Sequence, residues 1–234
     1  MPRAARIVLP GIPHHVVQRG NRRQRLFFDD GDRRAYLKLL AAALERHGTS
    51  CLGWCLMDNH VHLILLPVSA DGLRAPLASA HTAYAQRINR ARELSGHLFQ
   101  GRFASYFMDD AHLMVAARYV ENNPVAAGAV ERPEDWTWSS ARAHVEGRGD
   151  GLTDVAALGR HVPDWRAMLA RGLEAGDEAE RVERALRTGQ PLGSMGWRRA
   201  LAETHGVAID SPARGRPRRP RPIEKTGTVP IFDK

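Results

Sequence analysis

Lysine is almost missing from this 234-residue chain: three of its 34 basic residues are lysines (Lys38, Lys225 and Lys234), which leaves 31 arginines. Cysteine is as scarce. Cys51 and Cys55 stand alone, four residues apart, so the chain lacks the paired CxxC of a thiolate zinc site or a redox centre, and both thiols are expected to pack in a core in a reducing compartment. No run approaches the ~20 apolar residues that span a bilayer, and the stretch MPRAARIVLPGIPHH has no apolar signal-peptide core. We therefore expect a cytoplasmic protein with no membrane partner. A GxxxxGK[ST] loop is missing too, which argues against a nucleotide cofactor and against a helicase or ATPase motor in this chain. Tyrosine occurs four times, so candidates for a tyrosine nucleophile can be weighed one by one.

What is present is positive charge. A net charge of +8 suits a polyanion, because neutralised phosphates release condensed counterions and give sequence-independent affinity. Nucleic acid leads and an anionic membrane comes second, while the arginine bias of a GC-rich genome is the competing explanation. The length allows one ordinary domain with an appendage.

Along the chain, HHVVQR (14–19) is short and β-branched and runs into Gly20-Asn21, which predicts a strand entering a loop that carries Arg22, Arg23 and Arg25, with Arg19 at its entrance. Residues 29–47 have Tyr36, Leu39, Leu40 and Leu44 at helical spacing, with Gly48 as a stop. Two strands, 50–57 and 60–67, flank the turn pair Asp58-Asn59. A second amphipathic helix is predicted over 73–93, closed by Ser95-Gly96, then an aromatic strand over 98–108. A third helix should be capped by Asp109-Asp110 and stopped by Pro124. This β-α-β-β-α-β order predicts an α+β, ferredoxin-like split βαβ sandwich with an antiparallel central sheet. Beyond it, helices over 165–172, 177–187 and 196–205 form a helical extension before a Pro/Arg-rich tail. The expected division is a catalytic domain at 1–145, the extension at 146–210 and a basic, coreless tail at 211–234.

The strongest chemical signal is His60-Val61-His62 in an apolar strand. Alternation puts both imidazoles on one face about 7 Å apart in backbone terms and Val61, Leu63 and Leu65 on the other. Buried imidazoles need partners, and a cation satisfies them, although a hydrogen-bonded pair of core histidines gives the same pattern. With no thiol or HExxH ligand nearby, Mg²⁺ or Mn²⁺ is favoured over zinc. Tyr119 and Asn123, four residues apart, share a helix face; docking through Leu113, Ala117 and Val120 could hold them over the histidines. Tyr119 would then attack a phosphorus atom and Asn123 would lend its carbonyl oxygen as a third metal ligand. Tyr36 and Tyr84 are expected to pack their helices.

HHVVQRGNRRQRLFFDD, MDNHVHLIL, LFQGRFASYFMDD, ARYVENNPVAAGAV and WTWSSARAH, in that order over residues 10–142, resemble the HUH single-tyrosine transposases (transposase IS200-like), most closely the REP-associated tyrosine transposase branch. The resemblance implies an endonuclease and strand transferase acting on single-stranded or hairpin DNA, often repetitive extragenic palindromes. Its metal would sit on His60 and His62, and Tyr119 would form a 5′-phosphotyrosine and leave a free 3′-hydroxyl. The family's usual NPVRAG reads NPVAAG here, with Ala126 in the arginine position. Arg19, Arg22, Arg23, Arg25, Gln100 and Arg102 are candidate DNA contacts. Arg214 and Arg216, in an Arg-Gly-Arg-Pro core like that of an AT-hook, are candidates for a minor groove. The protein would be a monomer or a homodimer. Two other readings remain: a catalytically idle DNA-binding protein or repressor, and a replication or plasmid-transfer initiator, for which the motor motifs are lacking.

Overall fold

The structure, a computed structural model, describes residues 6–172 and 177–206; the tail from 211, with Arg214 and Arg216, lies outside the described residues. The elements run β1 (His14–Arg19), α1 (Asp30–Arg46), β2 (Ser50–Met57), β3 (His60–Leu66), α2 (Arg74–Arg92), β4 (Ala104–Phe107), α3 (Asp110–Glu121) and α4 (Asn123–Ala126). They continue as α5 (Ala141–Glu146), α6 (Val155–Gly159), α7 (Trp165–Ala170), α8 (Asp177–Thr188) and α9 (Met195–His205). Side-chain caps start several helices: Asp29 accepts from the Asp32 amide, Asp109 from His112, Asp164 from Ala167 and Ser194 from Trp197. No helix among the described residues is long and apolar enough to cross a membrane.

The strands lie in the order β2-β3-β1-β4, all antiparallel, which is the split βαβ arrangement. Because side chains alternate across a strand, the sheet has two distinct faces. Val16, Trp54, Leu56, Val61, Leu63 and Leu65 pack beneath α1 and α2 with Tyr36, Leu40, Tyr84 and Ile88. Full burial of each large apolar chain there stabilises by roughly 1.5–3 kcal/mol. The opposite face presents Cys55, Met57, Ile64 and Tyr106 to α3, and Leu158, Trp165, Met168, Leu169, Val182 and Ala185 of α6, α7 and α8 belong to the same apolar cluster. The histidine face of β3 is thereby roofed by α3 and the C-terminal helices. Both cysteines are buried and unpaired, as expected.

Three expectations need correction. The strand anticipated over 98–108 is regular only at Ala104–Phe107, because Gly101 takes a left-handed φ of 59° and breaks the extended run. Gln100 still donates its amide to Arg19 O at 2.8 Å, so this irregular segment stays beside the end of β1. Second, α3 ends at Glu121 and Asn123 begins a separate turn, in which Pro124 sits at the helix start, where its missing N–H costs nothing. Finally, α5 and α6 were not anticipated; both are under two turns long, too short to show a hydrophobic period.

The end of α3 is fixed from the roof. Glu121 is fully buried and accepts from Ser140 Oγ (2.5 Å), His144 Nδ1 (2.7 Å) and Trp165 Nε1 (2.7 Å). Next to it, Asn122 donates to Leu169 O at 3.3 Å, and Arg118 pairs with Glu178 of α8. Glu121→Ala would leave three donors buried without an acceptor. We expect a loss of about 3–5 kcal/mol, read as a lower urea midpoint at unchanged slope. A loss below about 1 kcal/mol would mean that water reaches the cluster and replaces the carboxylate.

Candidate active site

The β2–β3 turn is clamped by its neighbours. Asp58 O accepts the Leu26 amide at 2.7 Å, and its carboxylate holds Arg33 at 2.6 Å and Arg25 at 3.2 Å. Gly20 donates its amide to Asn59 O, and a Cβ on Gly20 would lie 2.1 Å from Gln24 O, so only glycine fits in this crossing. The clamp fixes where β3 begins, and hence His60.

His60 and His62 project from the same face, with ring centroids 4.8 Å apart. In each ring Nδ1 is occupied: that of His60 lies 2.7 Å from Asn59 Oδ1 and that of His62 lies 2.9 Å from His15 Nε2. The Nε2 atoms are left to meet a ligand. Across the ladder Arg19 is the direct partner of His60, so a guanidinium stands at the mouth of the site. Burial lowers the His60 pKa to about 4, with the charge of Arg19 adding and a hydrogen bond to Asn123 opposing. Burial likewise takes His15 to about 3 and His62 well below the usual range. The rings are neutral at physiological pH, the state in which imidazole ligates metals.

Tyr119 is brought in by α3, whose Leu113, Ala116, Ala117 and Val120 dock into the roof cluster. Its ring centroid lies 5.7 Å from that of His62 and 6.0 Å from that of His15, and the residue is 7% exposed. Asn123 follows on α4, and its side chain lies close enough to act on both Tyr119 and His60. Burial, then the Glu183 carboxylate, raises the Tyr119 pKa, while Asn123 and Arg19 act the other way. His60, His62, Tyr119 and Asn123 therefore converge even though the last two lie on different helices. Among the described residues no group of three His, Cys, Asp or Glu side chains gathers to hold a metal, so the neighbouring oxygen donor is the Asn123 amide.

Other tyrosines are committed elsewhere. Tyr36 bonds to His81 at 3.0 Å, and Tyr84 donates to Leu26 O at 2.6 Å on the far side of the sheet. Tyr106 is buried within the sheet, its hydroxyl 3.1 Å from His15 Nδ1. His15 was missed by the sequence reading, yet the signal was there: HHVVQR places it on the same strand face as Arg19.

Beside the site runs an open groove of 720 Å³, lined among others by Arg6, Arg19, Gln100, Arg102, Phe103 and Arg187. It gathers three of the expected DNA contacts and adds Arg6 and, from α8, Arg187. Arg22 and Arg23 stay exposed in a tight turn with left-handed φ values of 52° and 62°, and Arg25 is taken up by Asp58.

Residues 10–123 match the sequence profile of the family described as Transposase IS200 like. This segment is a transposase IS200-like domain. A Haemophilus influenzae protein named as a REP-associated tyrosine transposase is 28% identical to the chain over 113 residues, 44% of this chain; the match spans 64% of that protein's length. A solved structure described as a REP-associated tyrosine transposase bound to a REP hairpin superposes with a TM-score of 0.53 at 20% identity, covering 66% of this chain and 90% of the other. At that identity it speaks for the shared fold. In the IS200-like domain His60, His62, Tyr119 and Asn123 all fall inside the matched segment, whereas Arg187 lies beyond it.

Burying neutral imidazoles makes stability depend on pH. His15 and His60, with His14 and His81 also lowered to about 4, bind protons near pH 6.5 when unfolded but only near pH 3–4 when folded. The unfolded chain therefore holds more protons in this window. Stability is complete above about pH 6.5 and falls as pH drops toward 4, by about 1.4 kcal/mol per pH unit for each ring. Thermal melts at pH 7.5, 6 and 4.5 check this, and equal midpoints would mean that the rings are hydrated.

Proposed function

We propose that this protein is a metal-dependent endonuclease and strand transferase for single-stranded or hairpin DNA that works through a covalent 5′-phosphotyrosine on Tyr119. The observation that carries the reading is the placement of Tyr119 beside two neutral histidines whose Nδ1 atoms are already engaged, with the Asn123 side chain near both phenol and imidazole. Nε2 of His60 and of His62, with the carbonyl oxygen of Asn123, would hold Mg²⁺ or Mn²⁺. The donor set fits a divalent cation of this kind: it has no thiolate, and Nδ1 of each ring is already engaged within the protein. Such a cation supplies Lewis-acid polarisation of a non-bridging phosphate oxygen.

The chain's own residues do the rest. Arg19, opposite His60 on the same face of the sheet, grips the scissile phosphate. Tyr119 Oη attacks phosphorus as the P–O3′ bond breaks; the phenolic proton passes to water and the departing O3′ takes one from water, so that a 3′-hydroxyl is released. The phosphotyrosine keeps the bond energy, so attack by a 3′-hydroxyl in the reverse direction rejoins DNA without ATP. The basic groove would carry the flanking strand, with Arg102 and Arg187 on phosphates and Phe103 offering a ring. The hairpin seen with the structural relative, and the name of the Haemophilus influenzae relative, support a palindromic REP element as the substrate.

Tyr119→Phe keeps the ring and should leave folding and hairpin affinity nearly intact, while abolishing cleavage and the protein band that carries labelled DNA on a denaturing gel. His60→Ala and His62→Ala should also lose cleavage and keep most binding, and excess EDTA should reproduce this in the unaltered protein. Cleavage that survives EDTA defeats the metal reading; an adduct that survives Tyr119→Phe defeats the nucleophile.

The groove is tested separately. Arg102→Ala with Arg187→Ala should lower the log–log salt slope for a short single strand by about 0.7 for each lost phosphate contact. An unchanged slope would remove the groove from the DNA path.

A further inference from the structure

Three neighbouring strands of the sheet carry a line of polar side chains that ends on His62, and its first two members take no direct part in the proposed chemistry. Tyr106 on β4 meets His15 on β1 at 3.1 Å between Oη and Nδ1, and His15 meets His62 on β3 at 2.9 Å between Nε2 and Nδ1. The ladder sets this spacing, since His15 is the direct cross-strand partner of Tyr106 and the diagonal neighbour of His62. All three side chains are buried, so neither ring can turn toward water.

A neutral imidazole has one N–H and one lone pair, so protons along this line can be arranged in two ways. In one, Tyr106 donates to His15 Nδ1 and His15 Nε2–H donates to His62 Nδ1. The His62 proton then sits on Nε2, where a cation would have to bind. In the other, His62 Nδ1–H donates to His15 Nε2 and His15 Nδ1–H donates to Tyr106 Oη, which leaves the His62 Nε2 lone pair facing outward. His60 differs: a carbonyl oxygen, Asn59 Oδ1, can only accept, and this fixes its tautomer by itself.

We infer that His15, backed by Tyr106, is the positioning residue that sets the tautomer of His62 and so aims its Nε2 lone pair at the cation. The inference rests on the proposed metal site. Ligating histidines generally need such a partner on the second nitrogen, and its loss typically weakens metal binding 10–100-fold. Tyr106 matters as an acceptor: without its oxygen, His15 favours the proton on Nε2, which is the arrangement that blocks the site.

The test is Mn²⁺ binding to the DNA-free protein, followed by calorimetry to millimolar metal, with thermal melts to confirm folding. His15→Leu should weaken binding by about 10- to 100-fold. His15→Gln, whose amide oxygen can accept from His62 Nδ1, should recover part of the loss. Tyr106→Phe keeps ring and packing, so a purely structural role predicts unchanged affinity, whereas the inferred role predicts a smaller loss in the same direction as His15→Leu. If His15→Leu does not fold, the Tyr106→Phe result decides. Wild-type affinity in Tyr106→Phe and in a folded His15→Leu overturns the assignment of His15 while the metal site stands. A wild-type protein that takes up no Mn²⁺ overturns the metal site and this inference together.

Discussion

A side chain that can hold one proton on either of two nitrogens must, once buried, find a partner for each, and this constraint organises one face of the sheet. His15, His60 and His62 lie on the two central strands under a helical roof, where an unmatched polar atom costs about 1–3 kcal/mol. Their Nδ1 atoms are satisfied within the protein by Tyr106, Asn59 and each other. The nitrogens left over point the same way because the pleat points them the same way. Strand alternation thus supplies convergence, and burial keeps the rings neutral.

The second requirement is a helix that arrives at the right height over those nitrogens. Docking of Leu113, Ala117 and Val120 sets its rotation, but apolar contacts tolerate sliding, whereas hydrogen bonds do not. Glu121 supplies the directional restraint: a fully buried carboxylate gripped by three donors from two later segments, two residues after Tyr119 and two before Asn123. Arg118 and Asn122 add ties to α8 and α7. The helices that follow the IS200-like segment are therefore bonded to the element that carries Tyr119, and a disturbance in them reaches the site through α3.

Much of this was legible in the sequence because it depends on local periods. The alternation in HVHLILL gave both the histidine face and the core face, and the register bears out both. Asp29 and Asp109 announced helix starts where they occur. What was not legible involves contacts distant in sequence. The pairing of His15 with His62 spans 47 residues and follows from strand order, which no spacing rule gives. Arg187 joins Arg102 only because α8 returns across β4. Tyr106, the one tyrosine of the aromatic segment 98–108, proves to be bonded into the histidine line.

Few charges surround the site. His60, His62 and Asn123 are neutral donors, Arg19 is a cation, and the carboxylate whose charge reaches Tyr119 is Glu183, on an exposed stretch of α8. A divalent cation added to such a set leaves a strong positive excess in a half-buried place, where Coulomb energies are several-fold larger than in water. That excess is unfavourable for the protein alone and favourable once a phosphodiester enters, so cation and DNA should each raise the other's affinity by the same factor. Burial, then the Glu183 carboxylate, raises the pKa of Tyr119 and holds the phenol protonated in the protein alone. A set of neutral side chains beside an arginine, with the phenol held protonated, would thus stay quiet without a substrate, as the proposed cleavage of DNA requires.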